Sequence, residues 1–279
     1  MKEEAFEVAI AGGVLCGHRS DGDGPPALLL HGGAAVPDYL EALAAELAPF
    51  FTTYRYTQRG TLPSGGDPPY GIEAHVEDAV AVLDAFEIPQ AWAVGHSWGG
   101  HLALHLALAH PDRLLGLVLV DPLGAYVEVF ADLDASLRDG LAPATVARLD
   151  DIEARRREGD VTEEELVERF AIVWPRYFAD PESPVAASPA THSGVAASIG
   201  VNRSLGEHFQ RRTLIDGLPD VRLPVLFVHG ELDPIPPESS LRTAALIPGA
   251  RVEVIPACGH FPWLETPGEV AKAVASMLG

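Results

Sequence analysis

Ser97 lies in the run Gly95-His96-Ser97-Trp98-Gly99, with a glycine two residues before it and another two residues after. Glycines at those offsets let a strand and the helix after it close to backbone contact, and the sharp turn between them holds a hydroxyl out towards a ligand. The chemistry such a serine could do is nucleophilic attack on a carbonyl. A hydroxyl is a weak nucleophile at neutral pH, so it needs a base to take its proton and an acid to orient that base. His229-Gly230-Glu231-Leu232-Asp233 and Gly259-His260-Phe261 supply both residue types near the end of the chain. A five-residue pattern is weak by itself in a chain with 27 glycines, so the elements around it have to carry the inference.

Those elements alternate. Phe6–Ile10 and Val14–His18 flank Gly12-Gly13 and read as a hairpin of edge strands. Ala27–Leu30 is a short apolar strand ending at His31-Gly32-Gly33, followed by a helical pattern over 39–47, a strand over 52–56 and a Gly- and Pro-rich loop over 58–69. A helix over 72–86 leads to a strand over 91–94 and the serine turn, whose helix runs to about Ala109. Leu114–Val120 is almost continuously apolar, as a strand buried on both faces requires, and it ends at Asp121. From there to about 218 the pattern is helical, with a capping box at Thr162-Glu163-Glu164-Glu165 and a Pro-, Ala-, Ser- and Gly-rich connection over 180–201. Alternation resumes with strands over 225–228 and 252–255 and helices over 240–247 and 267–278. The reading is an α/β core of residues 1–121 and 218–279 with a helical cap inserted at 122–217. In a parallel sheet the carboxyl ends of the strands form one rim, and Ser97, Asp233 and His260 each follow a strand, so they can converge there.

Composition narrows the classes. Nineteen Lys and Arg against 40 Asp and Glu give a formal net charge of −21, which opposes binding to nucleic acid or to anionic membrane surfaces. Two cysteines, Cys16 and Cys258, are too few for a disulfide framework. The first ten residues lack the apolar core of a signal peptide, and no stretch approaches the roughly 18 apolar residues of a membrane span, so a cytoplasmic protein is expected.

The order Ser, Asp, His, each after a strand, with His31-Gly32-Gly33 upstream, resembles the α/β-hydrolase superfamily along essentially the whole chain. The resemblance implies a mostly parallel eight-stranded sheet flanked by helices, with an inserted helical cap. It also implies a Ser97-His260-Asp233 triad and an oxyanion hole formed by the backbone N–H groups of Gly33 and Trp98. No cofactor or metal is called for, and the partner is a small-molecule substrate. His31-Gly32-Gly33, Gln58-Arg59-Gly60 and Ser97-Trp98-Gly99 are similar to the proline iminopeptidase branch. Ala34-Ala35, Thr57 and His96 depart from that branch's usual Pro-Gly, Asp and Gly, and 122–218 holds no Trp-Glu pair. The expected function is therefore cleavage of a small, largely apolar ester or amide. An iminopeptidase-type aminopeptidase, a carrier or CoA thioesterase and a ligand-binding receptor are the alternatives.

Asp121 also ends a strand, so the residues leave it open as the acid in place of Asp233. His96, Trp174, Tyr177, Phe178 and Trp263 are expected around an apolar pocket. His101 and His105, four apart on the helix after Ser97, read as packing residues rather than metal ligands, His31 as a hydrogen bonder beneath the oxyanion loop, and Arg155-Arg156-Arg157 as a solvated helix face.

Overall fold

Among the described residues eight strands make one sheet, β1 (Glu3–Ile10), β2 (Gly13–Ser20), β3 (Pro26–Leu30), β4 (Thr52–Tyr56), β5 (Ala91–His96), β6 (Leu114–Val120), β7 (Val225–Gly230) and β8 (Arg251–Ile255). Their spatial order is β1-β2-β4-β3-β5-β6-β7-β8. The computed structural model describes residues 3–186 and 194–279. β1 and β2 form the expected hairpin, β2 pairs antiparallel with β4, and every later pairing is parallel. β5 and β7 are buried at every residue and β6 at all but one, which is why they read as unbroken apolar runs.

Helices α1 (Glu41–Leu47), α2 (Ile72–Ala85) and α3 (Trp98–Ala109) connect the strands of the first half. Between β6 and β7 the described residues form no strand. They form α4 (Val129–Arg138), α5 (Pro143–Glu158), α6 (Glu163–Val173), α7 (Val195–Gln210) and α8 (Thr213–Gly217). α9 (Pro237–Ala244), α10 (Pro262–Glu265) and α11 (Glu269–Leu278) complete the chain. The capping box forms as the sequence predicts, with Glu165 N–H donating to Thr162 Oγ1 at 3.2 Å and Thr162 N–H to Glu165 Oε2 at 3.0 Å.

One expectation fails here. Residues 180–201 read as a connection, yet from Val195 onward they are helix α7. Its face is carried by Ala197, Val201, Leu205 and Phe209, all buried and spaced four apart, a stripe that the small residues between them dilute. Of the rest of that connection, 187–193 lie outside the described residues.

Strand order turns over at β3, which has β4 on one side and β5 on the other. The carboxyl ends of β3 and β5 therefore flank a crevice where the chain winds away in both directions, the usual ligand position in an open α/β sheet. β3 ends at Leu30, just before His31, and β5 at His96, just before Ser97.

Candidate active site

The turn at Ser97 owes its shape to the glycines beside it. A Cβ on Gly95 would lie 2.3 Å from Gly99 O, and a Cβ on Gly99 would lie 1.9 Å from Leu30 O, so β5, α3 and β3 touch through bare backbone. Ser97 adopts φ 55°, ψ −120°, a strained conformation for a non-glycine residue, held by Ser97 N–H donating to Val120 O at 3.0 Å. Trp98 opens α3, so its N–H is one of the helix-end donors without an intrahelical acceptor. Gly33 lies beside it with φ +71°, in the left-handed region that suits glycine.

His260 and Asp233 arrive on the loops after β8 and β7. His260 Nδ1 is 2.8 Å from Asp233 Oδ2, and Asp233 Oδ1 accepts the N–H of Ile235 at 2.9 Å. A carboxylate partner fixes the hydrogen on Nδ1 and leaves Nε2 free to take a proton. His260 N–H donates to Tyr177 O at 2.8 Å, and Ala179 N–H donates to Glu265 Oε2 at 2.8 Å, which ties the segment after α6 to the histidine loop. Ser97, His260 and Gly33 line the same cavity.

A directional hydrogen-bond chain joins the three loops. His96 Nε2 is 2.8 Å from His260 O; a carbonyl only accepts, so Nε2 carries the hydrogen and Nδ1 is bare. Tyr39 O–H, 2.6 Å away, must then donate to His96 Nδ1, while Tyr39 Oη accepts the N–H of Gly32 at 2.9 Å. The glycine loop, the residue before Ser97 and the His260 backbone are thus held by one tyrosine and one histidine. Beneath them Gln58 N–H donates to His31 Nε2 at 3.0 Å, giving His31 the hydrogen-bonding place expected of it.

The cavity has two adjoining lobes of about 60 and 140 Å³ that share Gly33, Val36, Ser97, Phe170 and Tyr177. Of the residues expected around a pocket, Trp174 and Tyr177 line the smaller lobe. His96, Phe178 and Trp263 do not line either lobe: they stand behind the wall. His96 is fully buried in the chain just described, Trp263 stacks on Tyr39 at 6.5 Å between centroids, and Phe178 stacks on Phe261 at 5.3 Å. Aromatic type alone does not distinguish lining from backing. The larger lobe contains what sequence reasoning missed, Arg156 and Arg169, alongside Phe130, Leu133, Leu166 and Asn202. Arg156 was expected on a solvated face, but its side chain is only 24% exposed and bends towards the cavity beside Glu153. Glu153 pairs with both arginines, at 2.8 Å with Arg156, which leaves the group with one positive charge in excess. Burial and then the charge of Arg169 push the Arg156 guanidinium below its ordinary range. The signal was present as three positive charges in a chain of net charge −21, without a pattern to say which one turned inward.

Among the described residues seven histidines, His31, His75, His96, His101, His105, His229 and His260, are buried. Burial pushes each of them below the ordinary 6.5, His75 and His260 to about 3 and His101 and His229 to about 4. The unfolded chain takes up these protons below pH 6.5 and the native state does not, so stability is lost as the pH falls. Each histidine adds a slope of up to about 1.4 kcal/mol per pH unit. Urea unfolding at a series of pH values should show the midpoint falling steeply from pH 6.5 towards pH 4. A flat midpoint over that window would mean that these imidazoles are charged in the fold.

No helix among the described residues is long and apolar enough to cross a membrane. The chain matches a family model described as "Alpha/beta hydrolase family" over residues 27–273. It is 32% identical over 281 residues to a 2-hydroxymuconate semialdehyde hydrolase of Pseudomonas putida, covering 96% of this chain and 92% of that protein. It is also 32% identical over 282 residues to a rhodomycin D methylesterase of Streptomyces sp. (strain C5), covering 92% and 93%. A solved hydrolase structure from Pseudomonas aeruginosa PA01 superposes with a TM-score of 0.76 at 23% identity, over 99% of this chain and 98% of that one, and shares the fold. With a sheet of this order, a serine turn at its switch point and a family match over most of its length, the chain belongs to the alpha/beta hydrolase family and is an enzyme.

Proposed function

We propose that the protein is a serine hydrolase acting on a small substrate with an ester-like carbonyl at one end, an apolar middle and a carboxylate at the other. The observation that carries the reading is the larger lobe, which runs from Ser97 along apolar side chains to the Arg156–Glu153–Arg169 group. One excess positive charge in a chain of net charge −21 favours an anion, and a guanidinium fork suits a carboxylate. The name of the muconate semialdehyde hydrolase denotes an acid as its substrate, and that of the methylesterase an ester, which supports both ends of the proposal.

In this mechanism His260 Nε2 takes the Ser97 proton as the oxygen attacks the carbonyl, and Asp233 holds the imidazole and stabilises it when charged. The N–H groups of Gly33 and Trp98 receive the oxyanion, each worth about 3 kcal/mol in sites of this kind. The imidazolium protonates the leaving group, and water activated by the same histidine releases the acyl group. Residues 122–217 act as a cap that selects the substrate over the core of 1–121 and 218–279. The aminopeptidase and thioesterase alternatives find no such support in the cavity.

The test compares aryl monoesters of dicarboxylic acids with neutral aryl esters of equal acyl length. The anionic series should be preferred. Arg169→Leu should raise its KM about 10- to 100-fold, the worth of a charge-assisted hydrogen bond, with a far smaller loss for the neutral series. Equal turnover of both series, or an unmoved KM in Arg169→Leu, overturns the carboxylate end while leaving the serine chemistry intact.

A further inference from the structure

Asp121 is the first residue after β6, wholly buried, with φ 46°. Its Oδ1 accepts the N–H of Gly230 at 2.7 Å, but its Oδ2 has no hydrogen-bond donor in reach. A buried carboxylate oxygen without a donor is costly, and the groups facing it offer little relief. From β7 and the loop after it come Asp233, with a carboxyl oxygen within 4.8 Å of one of its own, and His229 Nε2, 3.8 Å from Asp121 Oδ1 and 3.4 Å from Asp233 Oδ2. That Nε2 carries its hydrogen to Ile235 O at 2.7 Å; burial keeps His229 neutral, so its Nδ1, 2.7 Å from Ser240 Oγ, accepts from that hydroxyl and its one hydrogen is engaged. From the last loop come His260 and Cys258, from α10 Glu265, and from β5 His96, whose two ring nitrogens are occupied by His260 O and Tyr39. Among the described residues no Lys or Arg makes an ion pair with either aspartate.

Two carboxyl groups this close in so dry a place cannot both be ionised. Asp233 is the better solvated of the two, with donors on both oxygens, Ile235 N–H and His260 Nδ1–H. We propose that Asp121 is held as the neutral carboxylic acid, its Oδ2–H donating to the Asp233 carboxylate, so that the acid of the site is a two-carboxyl unit with one proton and one negative charge. The orphan oxygen then has a role, as the donor. Burial, followed by the charge of Asp233, pushes the Asp121 carboxyl well above the ordinary range, in accord with this arrangement. Asp121 is a positioning residue: it fixes the Asp233 carboxylate from behind and spreads its charge. That role rests on the triad reading above, while the location of the proton does not.

Infrared difference spectra separate the two. The parent enzyme near neutral pH should show the C=O stretch of a protonated carboxyl group, sensitive to deuteration, absent in Asp121→Asn and present in Ser97→Ala. Asp121→Asn keeps a neutral donor towards Asp233, so the acid limb of its kcat/KM profile should stay in place. Asp121→Leu removes the donor, concentrates charge on Asp233 and should move that limb upward by up to about one pH unit. Absence of the band from the parent overturns the proposal. So does a band that survives in Asp121→Asn, or an acid limb in that variant shifted down by about one unit, as loss of a full negative charge facing His260 would cause. If the band behaves as expected but Asp233→Asn leaves kcat unchanged, the triad reading fails and the shared proton stands.

Discussion

Ser97→Ala should lower kcat on the preferred ester by on the order of a million-fold, the effect of removing the nucleophile from a hydrolase that works through an acyl-enzyme. The stability of the variant should be close to that of the parent, which makes the result interpretable. Ser97 makes no capping hydrogen bond with its side chain, and alanine meets the same backbone strain at φ 55°. The measurements are steady-state turnover, urea unfolding and mass-spectrometric mapping of a fluorophosphonate adduct, which should sit on Ser97 and be lost in the variant. An adduct on another residue, or turnover within tenfold of the parent, removes Ser97 from the nucleophile's role.

Asp233→Asn should cost about 10⁴-fold in kcat with little change in KM, as loss of the acid does in serine hydrolases of other folds. An amide placed against His260 Nδ1 can donate to it. The imidazole then carries its hydrogen on Nε2 and has no lone pair there for the Ser97 proton. The Ile235 N–H keeps an acceptor, the amide oxygen, so the loop need not move. Asp121→Asn provides the contrast and should cost much less, because the hydrogen bond to His260 Nδ1 is made by Asp233 and not by Asp121. A larger fall at 121 than at 233 would make Asp121 the acid.

The site was legible where local chemistry forces a signal. Gly95 and Gly99 are compelled by backbone contact, and the strand ends at Leu30, His96, Val120 and Gly230 by apolar runs that stop abruptly at polar loops. Asp233 and His260 were found by that logic, and the structure brings them within hydrogen-bonding distance of each other. Arg156 was not legible, because the choice between facing solvent and facing a cavity is made by the packing of α5 against α6 rather than by anything in the arginine run. Trp263 and Phe178 misled for a related reason: an aromatic one layer behind the wall has the same sequence appearance as one in it. Tyr39 left no trace at all, since the partners of its hydroxyl lie at Gly32 and His96, and the second is 57 residues away.

The hydrogen bond from His96 to the carbonyl of His260 spans 164 residues, and the one from Gly230 to Asp121 spans 109. Chains whose decisive contacts are this distant fold slowly, because each loop must be closed before its contact is formed. During synthesis Ser97 emerges well before His260 and Asp233, its proposed base and acid, which follow the last two strands. An interrupted chain ending before β7 would carry the Ser97 motif with neither partner, and its hydroxyl would be an ordinary alcohol. Under the proposed triad, reactivity is thereby delayed until all of the last two strands and their loops are in place.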